Sequence, residues 1–230
     1  MLNDELGGIL LLDKPRGATS FSLVSLLRRL SGIKKIGHAG TLDPFATGVM
    51  VMLVGKPYTR LSDQFIGHDK EYLATLHLGI ATDSYDCDGQ ITNQSSRIPN
   101  MGEIQEALNH FQGTVLQTPP MFSAKKINGK KLYKLARIGI EVERKPVQVT
   151  LQTELISYEY PFLELKINCS KGTYIRSIAN DLGTMLGTGA HLKTLVRTKS
   201  GPFTLKECLN IHSLTEPTFA LKNSLKKSNL

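Results

Sequence analysis

From Leu163 to Cys169 the chain alternates without a break, with Leu163, Leu165, Ile167 and Cys169 set against Glu164, Lys166 and Asn168. A period of two sends the two sets to opposite faces of a strand, so this segment has one buried face and one wet face. The pattern recurs where Tyr72, Ala74, Leu76 and Leu78 alternate with Leu73, Thr75 and His77, and again at Val147, Val149 and Leu151. Half-buried strands of this kind belong to a sheet with one face covered by helices. Candidates for that cover are present. Ser20 reads as an N-cap before a helix burying Leu23, Val24, Leu26, Leu27 and Leu30, which Gly32 stops. Asn100 and Glu103 match a capping box ahead of Ile104, Leu108 and Phe111, and Ile175, Ile178, Ala179, Leu182 and Leu186 mark a further helix closed near Gly187. The apolar runs Ile9–Leu12 and Val49–Val54 read as fully buried strands. Strands and helices mix without strict βαβ alternation, so the expected class is α+β rather than a doubly wound sheet.

A chain of 230 residues can bury a substantial core in one large domain. Its 28 Lys and Arg against 20 Asp and Glu leave a net charge of +8, which favours phosphate-bearing partners and also suits many soluble proteins. The distribution says more. Lys125, Lys126, Lys130, Lys131, Lys134, Arg137, Arg144 and Lys145 crowd one stretch opposed only by Glu141 and Glu143. Leu132, Leu135 and Ala136 lie at helical spacing inside it, so the charges project from a short amphipathic element that is either a solvated face or a clamp on a nucleic-acid backbone. Cys87, Cys169 and Cys208 form no C-x-x-C pair, which argues against a disulfide framework or a zinc site and fits a reducing compartment. No signal-peptide pattern opens the chain and no apolar run approaches the ~20 residues of a membrane span. The expectation is a soluble, cytoplasmic protein without metal or cofactor, ending in a polar, basic and poorly ordered tail over 216–230.

The candidate chemistry sits in Gly37-His38-Ala39-Gly40-Thr41-Leu42-Asp43-Pro44. Pro44 disfavours the α region at Asp43, so one carboxylate is held on an extended or turn backbone between glycines. Asp-Pro is also a common helix start, in which Asp43 would merely cap a helix beginning at Pro44. Two other motifs fail on inspection. Ser84, Asp86, Asp88 and Gly89 imitate a calcium loop, but Ser95 stands where its closing Glu is needed. Gly37–Gly40 is a G-x-x-G, yet a strand-like run follows where a KH module needs a helix. His38 has no second His or Cys at metal-ligand spacing.

Taken in order, several blocks resemble the bacterial tRNA pseudouridine synthase B family. Gly8-Ile9-Leu10-Leu11-Leu12-Asp13-Lys14-Pro15-Arg16-Gly17 matches its N-terminal signature, and Gly37–Pro44 with Phe45-Ala46-Thr47-Gly48-Val49 its catalytic-aspartate motif. Lys70-Glu71-Tyr72, with Leu78-Gly79-Ile80-Ala81-Thr82-Asp83, resembles its tyrosine motif. Pro119–Ala124 with Gly129–Tyr133, then Cys169–Arg176, then Gly189-Ala190-His191-Leu192 complete the series over about residues 8 to 203. The resemblance implies a pseudouridine-synthase fold: a mixed, mostly antiparallel sheet flanked by helices, in a catalytic domain over 1–215 with an RNA-clamping insertion over about 112–147.

It also implies roles. Asp43 is the essential carboxylate, attacking the sugar or removing a sugar proton to give a glycal; the sequence leaves both routes open, and both need the ionised form. Arg176 is its partner, favouring the charged carboxylate. Tyr72 stacks on the flipped uracil with its hydroxyl near C5, Tyr174 and Leu195 line the pocket, and His38 fills the space the nucleotide leaves. Lys130, Lys131 and Lys134 contact the RNA backbone, Arg197 supplies a phosphate contact or a second charge near Asp43, and Lys14 and Arg16 position the loop. The implied partner is the T-arm of tRNA, bound by a monomer that isomerises the uridine conventionally numbered 55. Many members carry a C-terminal RNA-binding domain after the equivalent of Phe203, for which the remaining residues are too few. The rivals are a non-catalytic tRNA-binding protein on the same fold and a synthase for another RNA.

Overall fold

The computed structural model describes residues 7–127, 129–216 and 220–227. The chain forms two compact units, one of residues 1–72 with 195–230 and one of residues 73–194, where the sequence suggested a single domain over 1–215. Strands β4 (Lys70–Leu78) and β12 (Ala190–Ser200) are divided between them.

In the first unit, β1 (Gly8–Lys14) and β3 (Thr47–Val54) are antiparallel neighbours whose residues are almost all buried. These continuous apolar runs form strands because both faces are covered. Helix α1 (Ser20–Ser31) lies between them in sequence and ends at Gly32, and the short β2 (Ile36–His38) pairs with β3. Ser20 is not the cap. Thr19 takes that place, its side chain accepting from Ser22 N at 3.0 Å, and Leu30 at the helix end is exposed rather than core. Short helices α2 (Lys56–Thr59) and α3 (Ser62–Ile66) follow β3. The last residues of β12 run parallel to β3, with Val196 opposite Thr47 and Arg197 opposite Gly48.

In the second unit, β4 continues from Leu73, β5 (Ile80–Thr82) pairs with β6 (Ile91–Gln94), and α4 (Met101–Asn109) carries the expected capping box of Asn100 and Glu103. Strand β7 (Gly113–Gln117) is antiparallel to β10 (Val147–Glu159), which is antiparallel to β11 (Phe162–Cys169). The alternation from Leu163 onward appears as predicted, with Leu163, Leu165, Ile167 and Cys169 buried. The insertion is narrower than 112–147, because Gly113–Gln117 and Val147 already belong to the sheet. It holds the ribbon β8 (Lys126–Ile127) and β9 (Lys130–Lys131) and helix α5 (Leu132–Ala136). Helix α6 (Ile175–Met185) then leads to β12.

The sheet edge at β1 is closed by the chain's end. Beyond β13 (Phe203–Thr204), β14 (Leu209–Asn210) runs parallel to β1, and after helix α7 (Leu221–Ser224) Lys226 bridges Ile9 through two backbone bonds of 2.8 and 2.9 Å. The stretch expected to be a polar, basic tail thus holds a short helix and the Lys226 bridge within residues 220–227; residues 217–219 and 228–230 lie outside the described residues.

Candidate active site

The Asp43 loop joins β2 to β3, and no helix begins at Pro44: residues 44 and 45 form a turn, closed by Ala46 N donating to the Asp43 carbonyl at 3.1 Å. The capping explanation for Asp43 is excluded. Three buried polar side chains hold this loop by its backbone. Ser20, at the start of α1, both donates to the Leu42 carbonyl (3.1 Å) and accepts from Leu42 N (3.0 Å), which is why its hydroxyl is not spent on capping. Lys14, 0% exposed, spreads its ammonium over the carbonyls of Pro15 (3.0 Å), Ala18 (2.7 Å) and Pro44 (3.2 Å). Arg197, 1% exposed, donates from Nε to the Val49 carbonyl (2.7 Å) and from Nη2 to the Gly40 carbonyl (3.2 Å). Bonds to carbonyls on both sides of Asp43 leave its backbone little freedom, while its side chain stays partly exposed.

Charge at the loop follows from this packing. Burial pushes the Lys14 ammonium down to about 8, with Asp43 pulling it back up and Arg197 pressing it further down. Burial and then the Arg197 charge lower the His38 pKa, so this imidazole is neutral; its Nδ1 is buried without a hydrogen-bond partner among the described residues. Tyr72 (8% exposed) faces inward on β4, and Leu195 (6%) is buried on β12 just before the pairing with β3. The expectation of a phosphate contact at Arg197 is corrected: a guanidinium this deeply buried and committed to two carbonyls is a brace for the loop. Its parity with buried Leu195 on one strand was the signal available for that.

The second unit contains the other group of sequence-predicted residues. Tyr174 is the N-cap residue of α6 and Arg176 stands in its first turn, 5% exposed. A cation there opposes the helix dipole, and the structure supplies a carboxylate that sequence reasoning missed. Asp86 Oδ2 lies 3.5 Å from Arg176 Nη1, with both side chains buried. Arg176 also donates to the carbonyls of Ser84 (3.1 Å) and Phe122 (2.8 Å). The false calcium loop thus has a different use. Asp86 Oδ1 accepts from Ser84 Oγ (2.6 Å) and Asp88 N (3.1 Å), which turns Oδ2 toward the guanidinium.

Lys130, Lys131 and Lys134 are exposed on the insertion, anchored by the fully buried Leu132. Lys126 and Lys131 stand directly opposite each other across the ribbon, and Lys131 and Arg137 flank the Tyr133 ring at 5.7 and 5.5 Å. Like charges directly across a ribbon repel, so this arrangement is stabilised when a polyanion lies along it. Among the described residues no helix is long and apolar enough to cross a membrane.

A family model described as TruB family pseudouridylate synthase, N-terminal domain, matches residues 28–175. A second, described as tRNA pseudouridylate synthase B C-terminal domain, matches 176–230, where the sequence was read as stopping short of such a domain. The chain is 65% identical over 213 residues to tRNA pseudouridine synthase B of Protochlamydia amoebophila, covering 91% of this chain and 81% of the relative. It is 54% identical over 229 residues to tRNA pseudouridine synthase B of Chlamydia trachomatis, covering 100% and 95%. Among solved structures, a chain of a Cbf5-Nop10-Gar1 complex superposes with a TM-score of 0.74 at 26% identity, over 98% of this chain and 61% of that one.

Proposed function

Because the chain belongs to the TruB family of pseudouridylate synthases, we propose that it isomerises a uridine of tRNA to pseudouridine, at the T-loop position conventionally numbered 55. The observation that carries this reading is the Asp43 loop itself: a partly exposed carboxylate on a backbone braced by Ser20, Lys14 and Arg197. A group that must meet one sugar atom, whether C1′ or a sugar proton, has to be held to within about half an ångström, and such bracing supplies that.

In the reaction the uracil N1–C1′ bond breaks, the base rotates, and a C5–C1′ bond forms; C5 loses a proton and N1 gains one. No redox step or co-reactant is needed. The target uridine leaves the T-loop, and stacking worth ~1–3 kcal/mol per base offsets part of its unstacking cost. Asp43 acts as an anion, either on C1′ or on a sugar proton. Arg176 is its electrostatic partner, and the buried Asp86 keeps the guanidinium oriented. Tyr72 stacks with the uracil and stands by C5, Tyr174 and Leu195 line the pocket, and the neutral His38 occupies space rather than pairing with a phosphate. Lys130, Lys131 and Lys134 take the T-arm backbone. A tRNA substrate places the working enzyme in the cytoplasm, and a single chain supplies every group named.

The test is to incubate the protein with an unmodified tRNA transcript and map pseudouridine by chemical adduct and primer extension. One stop at the T-loop uridine is expected. Intact tRNA binding with no stop would instead favour a non-catalytic tRNA-binding protein, and a stop in another RNA alone would reassign the substrate.

A further inference from the structure

Gln117, the last residue of β7, is 3% exposed and directs both ends of its side-chain amide at one residue 57 positions away. Tyr174 N donates to Gln117 Oε1 at 2.7 Å, and Gln117 Nε2 donates to the Tyr174 carbonyl at 3.0 Å. A side chain here makes the paired bonds that one strand makes with another. Tyr174 is where α6 starts; its carbonyl accepts the first bonds of the helix, from Ser177 N (3.1 Å) and Ile178 N (3.3 Å), and no side chain of the helix's own caps it. Gln117 therefore fixes the peptide planes on both sides of the residue from which the helix springs, with Arg176 two residues on.

The same short segment grips the first turn twice more. Ser177 Oγ donates to the Thr118 carbonyl at 2.9 Å, and Arg176 Nη2 to the Phe122 carbonyl. Residues 117–123 are the root of the basic insertion, and Tyr133 N of α5 donates back to the Ser123 carbonyl at 3.0 Å. A run of hydrogen bonds thus leads from the helix that carries Lys134 to the guanidinium of Arg176. A buried glutamine kept only to fill space would be matched by an apolar side chain; this one satisfies both its groups on the backbone of a single residue, Tyr174, two positions before Arg176.

We propose that Gln117 is a positioning residue, locking Tyr174 and Arg176 to the root of the insertion so that phosphate capture by the insertion and placement of Arg176 occur as one rigid event. This rests on the proposed pseudouridine chemistry. Gln117→Ala removes both bonds. Gln117→Glu keeps the size and the acceptor, and only its protonated carboxyl can donate to the Tyr174 carbonyl. Single-turnover pseudouridine formation on a tRNA transcript, tRNA affinity, and amide exchange over residues 173–178 are measured for wild type and both variants. The Ala variant is expected to react at least about tenfold more slowly with affinity within about threefold of wild type, and to exchange faster over 173–178. The rate of the Glu variant, taken as a ratio to wild type at each pH, is expected to recover as pH falls from about 8 to about 5.5, because a buried carboxyl beside a carbonyl titrates high.

With an active wild type, an Ala variant within about twofold of its rate overturns the proposal, as does a loss confined to affinity. A Glu ratio flat in pH overturns it too, and carries the test alone if the Ala variant does not fold. A wild type forming no pseudouridine in tRNA is a failure of the proposed function instead. The positioning claim is then decided by exchange: unchanged protection over 173–178 in the Ala variant overturns it, and accelerated exchange upholds it.

Discussion

Gly48→Ala should damage both stability and turnover, and the structure gives the size of each effect. Gly48 has a φ of +104°, a backbone conformation that L side chains rarely adopt, and it sits opposite Arg197 where β3 and β12 run parallel. A Cβ there would press into the Arg197 carbonyl oxygen, 2.8 Å from the Arg197 nitrogen and 2.9 Å from its carbonyl carbon. These are main-chain atoms that no rotamer change can move away. Backbone strain of about 1–3 kcal/mol and overpacking of about 1–3 kcal/mol add to a loss of about 4 kcal/mol. For a chain of this size that lowers Tm by roughly 10 °C. The strands must part by about 1 Å to relieve the contact, and a shift of that size next to a reacting group can cost about a hundredfold in rate. Arg197 would carry the shift to the Gly40 carbonyl and so to the Asp43 loop. Thermal unfolding and single-turnover kinetics measure both. Gly139→Ala is the control, since Gly139 has a φ of +71° with no neighbour within 4 Å and should lose only about 1 kcal/mol. A Gly48→Ala protein within about 2 °C in Tm and about threefold in rate would refute the reasoning.

Lys14→Met should lower stability by about 2 kcal/mol in urea unfolding near neutral pH, because three partly buried carbonyls lose the Lys14 donor, and among the described residues only that of Pro44 keeps another, from Gly17 N. The sign of its pH dependence is also set. The folded-state pKa of about 8 lies below the unfolded value of 10.5, so the folded chain sheds this proton first, and wild-type stability relative to the Met variant rises between about pH 8 and 10.5. A difference that stays flat across that window would contradict the burial account. Replacing Lys130, Lys131 and Lys134 with Gln should weaken tRNA binding and reduce the slope of log K against log salt by about 2, read by filter binding at several salt concentrations. An unchanged slope would move the backbone contact elsewhere.

The fold was legible where the signal is local. Alternation of period two gave the strands at Tyr72 and Leu163, and the Asn100–Glu103 capping box lies within four residues. What eluded the sequence was set by distant partners. Ser20 has the chemistry of a cap, but its hydroxyl is claimed by Leu42, 22 residues away, and Thr19 caps instead. Asp86 looked like part of a failed cation loop because its partner is Arg176, far along the chain. Arg197 looked like a phosphate contact or a second charge near Asp43, and its two backbone carbonyl partners, at Val49 and Gly40, lie 148 and 157 residues back along the chain. Lys14, expected from the resemblance to position the loop, does so from a fully buried place at the end of β1, where both parities of the strand are covered. The tail read as loose from composition, which carries no information about the edge of β1 that Lys226 completes.

The central claim is that Asp43 does the chemistry. The most direct test is tritium release from a tRNA transcript labelled at uracil C5, comparing wild type with Asp43→Asn while measuring the affinity of each for the same RNA. The expected result is release by wild type, none above background from the Asn variant, and affinities within about tenfold, or 1.4 kcal/mol. An Asn variant that releases tritium at a rate near wild type would remove Asp43 from the reaction and leave the braced loop without its assigned purpose.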